Sequence, residues 1–215
     1  MDDFQMVIGI DLDNTLAIYD DLIHQVAYER DLIDVNVRKS KRDVRDAVRR
    51  LPDGEIHWQR LQGVIYGPRM AGAKIEQSAK KFIRHGNEIK VKFRIVSHRT
   101  ELANYDETKT NLRGAALEWM ESQGFFDPTG LDLEMGDVYF ESTRHDKIER
   151  IKALGCTHFI DDLEEVFAEE HFPEGTMKIL YGPSSPFKLP EGVVLATSWS
   201  QVERLIFGAS TQDGD

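Results

Sequence analysis

Short apolar segments in this sequence end abruptly in polar residues, and helical patterns lie between them. Residues 6–10 run into the sequence DLDNT, residues 91–96 into SHRT, and residues 157–160 into two aspartates. Short apolar runs rich in β-branched residues predict buried strands. Strands that alternate with helices predict a parallel, doubly wound sheet, whose ligands bind beyond the carboxyl ends of the strands. The sequence therefore predicts an α/β fold with its functional residues at one edge of the sheet.

Further segments extend this pattern. Three more strands are predicted, at residues 137–141, 177–181 and 193–197. Helices are predicted at residues 72–85, 108–122 and 145–154. Each of these helices ends at or near a glycine, a residue that can adopt the left-handed conformation that closes a helix, and the glycines are Gly86, Gly124 and Gly155.

The stretch between the first two strands is too long for a simple crossover. Asp11 and Ser97 are 86 positions apart, whereas a crossover between parallel strands needs about a dozen residues and usually one helix. Amphipathic helices are predicted there at 20–33, at 40–51 with Ser40 as N-cap, and at 55–66. We therefore expect a helical cap (19–71) inserted into a catalytic core (1–18 and 72–208), followed by a disordered tail (209–215).

Composition limits the class of partner. The 215 residues carry a formal net charge of −11, whereas proteins that bind nucleic-acid polymers are usually basic, so no such polymer is expected. Residues 38–50 are an exception, and their positive charge suits either a small anion or a solvated helix face. The acidic N-terminus predicts neither a secretion signal nor a membrane span, and we expect a cytoplasmic location. Cys156 is the one cysteine, and we expect it in the core.

The acidic residues at the strand ends predict a metal site. Asp11 and Asp13 lie two positions apart, so their carboxylates repel each other unless a cation offsets the charge. Asp161 and Asp162 follow another strand of the same sheet. Mg²⁺ takes oxygen ligands and needs only one or two carboxylates together with a substrate phosphate. Four converging acids therefore indicate a magnesium site.

Phosphoryl transfer to a carboxylate accounts for the remaining polar residues. The phosphoryl oxygens need hydrogen-bond donors and a cation. Ser97 offers a hydroxyl and Lys147 a positive charge, with Arg144 as a nearby alternative cation. A metal that bridges carboxylate and phosphate screens their repulsion. Asp13 is then free to protonate the leaving oxygen and later to deprotonate the hydrolytic water.

Residues 11–15, Ser97, Lys147 and the pair Asp161 and Asp162 together resemble the four motifs of the haloacid dehalogenase superfamily, in order and in context. The resemblance covers about residues 4–18 and 72–205. It implies Asp11 as nucleophile, Asp13 as general acid and base, and Ser97 and Lys147 as phosphate ligands.

The same resemblance implies Mg²⁺ as cofactor. Its ligands would be Asp11, the main-chain carbonyl of Asp13 and, of the paired acids, Asp162. Asp161 would take a supporting position beside Lys147, although the sequence leaves it open as a ligand.

Several more residues are candidates for substrate contact or support. His98 follows Ser97 and is a candidate phosphate ligand, and Thr15 is equally suited to bind a ligand or to stabilise its loop. The other candidates are Arg99, then Trp58, Tyr66 and Arg69 in the insertion, and Glu164 and Glu165 as the downstream acid of the last motif. For Trp58, packing inside the cap is the expected role.

Three other functions compete with a phosphatase acting on a small phosphorylated metabolite, such as a nucleotide or sugar phosphate. A phospho-receiver module uses similar residues, but it carries its paired acids at the first strand rather than the last. A carbon-halogen hydrolase is not expected to carry an acid at position 13. A phosphomutase stays open, because the same core residues serve both reactions.

Overall fold

The computed structural model describes residues 5–182 and 189–208, so the tail predicted at 209–215 lies outside the described residues. The strands are β1 (Val7–Ile10), β2 (Ala17–Ile18), β3 (Lys74–Ile75), β4 (Lys92–His98), β5 (Val138–Glu141), β6 (His158–Asp161), β7 (Met177–Tyr181) and β8 (Val193–Ala196). The helices are α1 (Asp20–Glu29), α2 (Lys41–Arg49), α3 (Gly54–Tyr66), α4 (Gln77–Glu88), α5 (Leu112–Ser122), α6 (Arg144–Ala153), α7 (Glu164–Phe167) and α8 (Trp199–Phe207). Short 3₁₀ turns lie at Met70–Gly72 and Met135–Asp137.

A six-stranded parallel sheet forms the centre of the catalytic core, in the order β5-β4-β1-β6-β7-β8. In β1, Ile10 lies opposite Ile95 of β4 on one side and Ile160 of β6 on the other. All three isoleucines are fully buried, as expected for a parallel strand covered on both faces. The predicted doubly wound parallel sheet is confirmed.

The order in which strands are added to the sheet reverses at β1, which lies between the two halves. After β1 the chain adds β4 and β5 on one side, and it then returns to add β6, β7 and β8 on the other. The carboxyl ends of β1, β4 and β6 therefore meet at the point where doubly wound sheets bind ligands. Every strand predicted from the sequence is present, with its ends within two residues of the prediction.

The helix predicted at 72–85 is wrong at both ends. Gly72 instead ends a 3₁₀ turn, and β3 follows at Lys74–Ile75, where Ile75 pairs antiparallel with Ala17 of β2. The helix α4 begins only after Glu76, whose side chain accepts a hydrogen bond from the amide of Ser78 at 3.1 Å. A capping interaction at this point defines the helix start, because it satisfies an amide that the helix leaves free.

Gly86 does not close α4, contrary to the prediction. It lies inside the helix, where a Cβ atom would come within 2.3 Å of the Phe93 ring, so glycine makes room for that ring. The left-handed residue beyond α4 is Lys90, with φ of 61°. By contrast, Gly124 and Gly155 have φ of 78° and 62° and follow α5 and α6 as predicted.

The chain divides into two compact units. The first contains the six-stranded sheet and includes the described residues up to Leu16, then Glu76–His98, and those from Phe126 onward. The second comprises Ala17–Ile75 and Arg99–Phe125. The predicted cap, residues 19–71, thus corresponds to only part of the second unit.

Apolar side chains of α1, α2 and α3 form the interior of the second unit. The buried residues include Ile23 of α1, Val44 and Val48 of α2, and Trp58 of α3. The hydroxyl of Ser40 accepts from the amide of Asp43, which confirms the predicted N-cap. The prediction of 20–33 was too long, since α1 ends at Glu29.

The α5 helix is tied into the second unit as well. The indole nitrogen of Trp119 donates to the carbonyl of Ala73 at 3.0 Å, and both groups are buried. The helix predicted at 108–122 begins only at Leu112, and it lies in the second unit.

The position of Cys156 and the search for a membrane-spanning helix complete the description of the fold. Cys156 is 4% exposed and lies in the core of the first unit, as expected. Among residues 5–182 and 189–208, no helix has the length and apolar character needed to cross a lipid bilayer.

Candidate active site

Three carboxylates converge at the carboxyl ends of β1 and β6. Asp11 directly follows β1, and its amide donates to the carbonyl of Ile160 at 2.9 Å. Asp161 is the last residue of β6, and Asp162 comes next. Because parallel neighbouring strands end at the same edge, these side chains meet there. One oxygen from each of the three aspartates lies within 4.8 Å of the other two.

Lys147 lies between two of these acids. It is in the first turn of α6, where the Thr143 hydroxyl caps the helix by accepting from the amide of Asp146. The Lys147 Nζ donates to Oδ1 of Asp11 at 2.6 Å and to Oδ2 of Asp161 at 2.7 Å. Lys147 is only 2% exposed, and Asp11 and Asp161 are buried with it. The three groups form a buried ion-pair network.

The charges of this network are unbalanced. Burial raises the pKa of Asp11 well above its ordinary value, Lys147 acts to lower it, and the neighbouring aspartates raise it further. For Lys147, burial acts to lower the pKa, but Asp11 and Asp161 outweigh burial and hold it above its ordinary value. One ammonium group therefore faces a surplus of carboxylates, and these are the groups that could hold an additional cation.

Asp13 is not one of these three clustered carboxylates, and its side chain lies beside Ser97. Its Oδ2 is 3.5 Å from the Ser97 hydroxyl, which donates a long hydrogen bond to it. Ser97 is fully buried at the end of β4, and Asp13 is partly exposed. The side chain of Asp13 is thus placed next to the hydroxyl that follows the neighbouring strand.

The residues present fit a Mg²⁺ ion. All three clustered ligand atoms are carboxylate oxygens, the donor type that Mg²⁺ prefers. They lie within 4.8 Å of one another, and oxygens on opposite sides of a bound Mg²⁺ are about 4.2 Å apart. A cation bound among these aspartates would favour the ionised form of Asp11, whose pKa burial and the neighbouring acids raise.

The two paired aspartates differ in their hydrogen bonds. Asp161 Oδ2 accepts from Lys147, and its Oδ1 accepts from the amide of Leu163 at 2.9 Å. Both oxygens of Asp161 therefore already bind protein donors. Asp162 is partly exposed at the same edge.

The structure places the other candidate residues of the core as follows. His98 is exposed, and its Nε2 lies 3.1 Å from the carbonyl of Ser142, to which it can only donate. Arg144, the alternative cation, forms an ion pair with Glu169 at 3.1 Å. The remaining core candidates are Glu164 and Glu165, both in α7 and not fully buried, and Thr15, which is fully buried.

The candidates in the second unit mostly contact one another or their own unit. Arg99 is 3% exposed, and its guanidinium donates to the carbonyls of Tyr66 and Leu112 at 3.2 and 3.1 Å. Trp58 is buried, and Arg69 forms an ion pair with Glu29 at 2.9 Å. The contacts of Arg99 are those of a side chain that holds its own unit together.

The sequence pattern predicted no role for Asn14, which lies in the loop after β1. Asn14 has φ of 62°, the left-handed conformation, and lies in the turn closed by the hydrogen bond from the Leu16 amide to the Leu12 carbonyl at 3.0 Å. Asparagine is one of the few residues that adopt this conformation readily, which is the signal that sequence reasoning had available.

Comparisons with known proteins add to this geometry. No protein-family model matches the chain, and a search of curated proteins finds no match. A hydrolase of the haloacid dehalogenase (HAD) family from Deinococcus radiodurans, solved with phosphate and sodium bound, superposes with a TM-score of 0.56 at 17% identity, over 94% of each chain. A HAD hydrolase from Entamoeba histolytica gives a TM-score of 0.57 at 10% identity, over 92% of this chain and 95% of that one. A dehalogenase with an intermediate complex gives 0.54 at 13% identity, over 95% and 98%.

These findings define the fold. The protein is a doubly wound α/β protein whose acidic residues gather at the switch point of the sheet. Within that class, its fold is that of the haloacid dehalogenase-like hydrolases, and the resemblance seen in the sequence motifs is confirmed at the level of the fold.

Proposed function

We propose that this protein is a magnesium-dependent phosphohydrolase that cleaves a small phosphomonoester through an aspartyl phosphate on Asp11. The observation that carries the proposal is the buried network in which Lys147 binds both Asp11 and Asp161. A lysine buried between two acids at the ligand-binding edge of the sheet is costly to maintain without a function.

In the first step, a carboxylate oxygen of Asp11 attacks phosphorus, and the bond from phosphorus to the ester oxygen breaks. Lys147 holds the Asp11 carboxylate in place for this attack, because its Nζ donates to Oδ1 of Asp11 at 2.6 Å. Asp13 gives its proton to the leaving oxygen, so that an alcohol departs. Ser97 offers its hydroxyl to a phosphoryl oxygen.

In the second step, Asp13 takes a proton from water, and the resulting hydroxide attacks the phosphorus of the aspartyl phosphate. The bond between phosphorus and the Asp11 oxygen breaks, which releases inorganic phosphate and restores the Asp11 carboxylate. Asp13 thus ends the cycle with the proton that it needs for the next one.

Asp11 and Asp162 would hold Mg²⁺, together with the main-chain carbonyl of Asp13. When bound, the ion supplies positive charge that screens the carboxylate from the phosphate. Asp161 instead acts as a positioning residue, because Lys147 and the Leu163 amide already bind its two oxygens.

Phosphate is preferred over an organic halide as the substrate class because of Asp13. Cleavage of a phosphate ester requires a proton for the leaving alcohol, whereas a departing halide needs none. An ionisable group 3.5 Å from Ser97 fits the first requirement. The phosphate bound to the structural neighbour from Deinococcus radiodurans agrees with this choice. Nucleotide and sugar phosphates are the substrates that we expect.

A phosphate-release assay tests the proposal. The protein is incubated with a panel of nucleotide and sugar phosphates and with p-nitrophenyl phosphate, in Mg²⁺ or in a chelator, beside a parallel panel of 2-haloacids. We expect phosphate release only with Mg²⁺ and its loss in Asp11→Asn. The matched control is Asp132→Asn, because Asp132 is exposed and its left-handed φ of 50° suits asparagine equally well. Halide release without phosphate release would overturn the proposal.

A further inference from the structure

The turn that follows Asp11 contains two buried polar atoms without a hydrogen-bond partner among the described residues. They are Nδ2 of Asn14 and Oγ1 of Thr15. A buried donor without a partner costs about 1–3 kcal/mol, so native proteins retain few of them. Two in succession, next to Asp13, therefore need an explanation.

The two residues differ in how far they reach the surface of the turn. Thr15 is fully buried, whereas the side chain of Asn14 is only partly covered. Asparagine has one more side-chain torsion than threonine, and its residue is the more exposed of the two. Asn14 is therefore the better placed of the two to present its donor to a bound molecule.

The backbone does not require an asparagine at this position. With φ of 62°, residue 14 is in a conformation that glycine adopts at least as readily, and glycine would leave no amide unsatisfied. The same turn encloses Asp13, whose carboxylate lies 3.5 Å from the Ser97 hydroxyl. The Asn14 amide is thus held within the loop that carries the acid and base of the proposed reaction.

We propose that the side-chain amide of Asn14 donates a hydrogen bond to an oxygen of the bound phosphoryl group, which makes it a further substrate-binding residue. The inference rests on the proposed function, since it assigns Asn14 to the same site. A phosphoryl group presents several oxygens, and Ser97 and Lys147 supply donors for only some of them. A neutral amide adds a donor without adding a charge that would compete with the metal.

The test uses Asn14→Gly, which keeps the left-handed turn and removes the amide. We expect kcat/KM for p-nitrophenyl phosphate to fall about ten- to a hundred-fold, the effect of losing one hydrogen bond to a charged group. Inorganic phosphate should inhibit the variant about ten-fold less strongly, while its melting temperature stays equal to that of the parent or rises. The control is Asp132→Gly, which makes the same change to glycine at a left-handed position of an exposed turn outside the site and should leave kcat/KM within about two-fold.

The outcomes separate this inference from the proposed function. If Asn14→Gly keeps kcat/KM and phosphate inhibition within two-fold of the parent, Asn14 serves only the turn and the inference is overturned. If the parent itself releases no phosphate, the proposed function fails, and calorimetric titration with inorganic phosphate decides about Asn14 alone. Weaker phosphate binding by Asn14→Gly then supports the inference, whereas equal binding or none by the parent contradicts it.

Discussion

Lys147 is the residue on which the electrostatics of the site depend most. Its ammonium group is buried and contacts one oxygen each of Asp11 and Asp161. Removing one partner of a buried ion pair is far more damaging than removing an exposed one, because the remaining charges stay buried without compensation. The nearby Arg144 differs, because it binds Glu169 in a half-exposed ion pair.

Replacement of Lys147 by methionine should therefore destabilise the protein. We expect Lys147→Met to lose about 3–5 kcal/mol of unfolding free energy, measured by urea denaturation in a chelator. Added Mg²⁺ should recover part of this loss, since it offsets the charge of the same carboxylates. Arg144→Met is the matched control, with an expected loss of about 0–1 kcal/mol for a half-exposed pair. Equal stability of the two variants would contradict the buried network.

The side chain of Asp13 should be needed for turnover but not for metal binding. Its carboxylate is not one of the three that cluster, so Asp13→Asn removes the acid and base but keeps the metal ligands. We expect kcat to fall about 10²- to 10⁴-fold, while Mg²⁺ still raises the melting temperature as it does in the parent. Loss of the Mg²⁺ effect would show that the side chain holds the ion, and an unchanged kcat would remove Asp13 from the mechanism.

At the level of elements, the strands were predictable from the sequence and several helix ends were not. β1 and β6 are central strands of the sheet, and the short apolar runs that end in aspartates mark where these strands end. The predicted helix at 72–85 failed because Glu76 caps α4 later than the apolar pattern indicates. The prediction that Gly86 closes α4 is wrong because this glycine makes room for the Phe93 ring. That contact is tertiary, and no local sequence pattern shows it.

The close approach of Gly86 to Phe93 can be tested directly. In Gly86→Ala, the new methyl group would meet the Phe93 ring at 2.3–2.6 Å, and that ring packs edge-on against Phe82 with centroids 5.7 Å apart. Overpacking of this kind costs about 1–3 kcal/mol, which exceeds the roughly 1 kcal/mol that alanine gains over glycine in a helix. Thermal denaturation should show a net loss of stability.

Gly136→Ala is the control for this substitution. Gly136 is exposed, and a Cβ atom there meets nothing within 4 Å, so its stability should change by less than about 0.5 kcal/mol. If Gly86→Ala is at least as stable as the parent, the helix tolerates the methyl group and the steric account of this glycine is wrong.

At the level of the whole molecule, the chain passes between its two units after Leu16, Ile75, His98 and Phe125. All residues proposed for catalysis lie in the first unit, although they are spread from position 11 to position 162 of the sequence. The meeting of these motifs could be predicted because three of them lie at strand ends of one sheet and Lys147 lies in the first turn of the helix after β5. The extent of the second unit could not be predicted from the sequence. Its helix α5 joins it through contacts between residues distant in sequence, such as the hydrogen bond from Trp119 to Ala73.

The reactivity of Cys156 should report on the stability of the first unit as a whole. The thiol is 4% exposed, and burial raises its pKa to about 11. A raised pKa keeps the thiol protonated and unreactive at pH 8, so modification by a disulfide reagent should require unfolding. Since an ion that binds only the native state stabilises it, Mg²⁺ at about 100 times its Kd should slow modification about 100-fold.

Asp162→Asn distinguishes this effect from a general effect of salt. The variant lacks one of the three clustered carboxylates, so Mg²⁺ should bind it weakly and should slow the modification of Cys156 much less than in the parent. Asp132→Asn, whose substitution is at an exposed turn, should retain the full protection. Equal protection of Asp162→Asn and the parent would mean that Mg²⁺ stabilises the protein elsewhere, and rapid modification of the native parent would mean that Cys156 is accessible without unfolding.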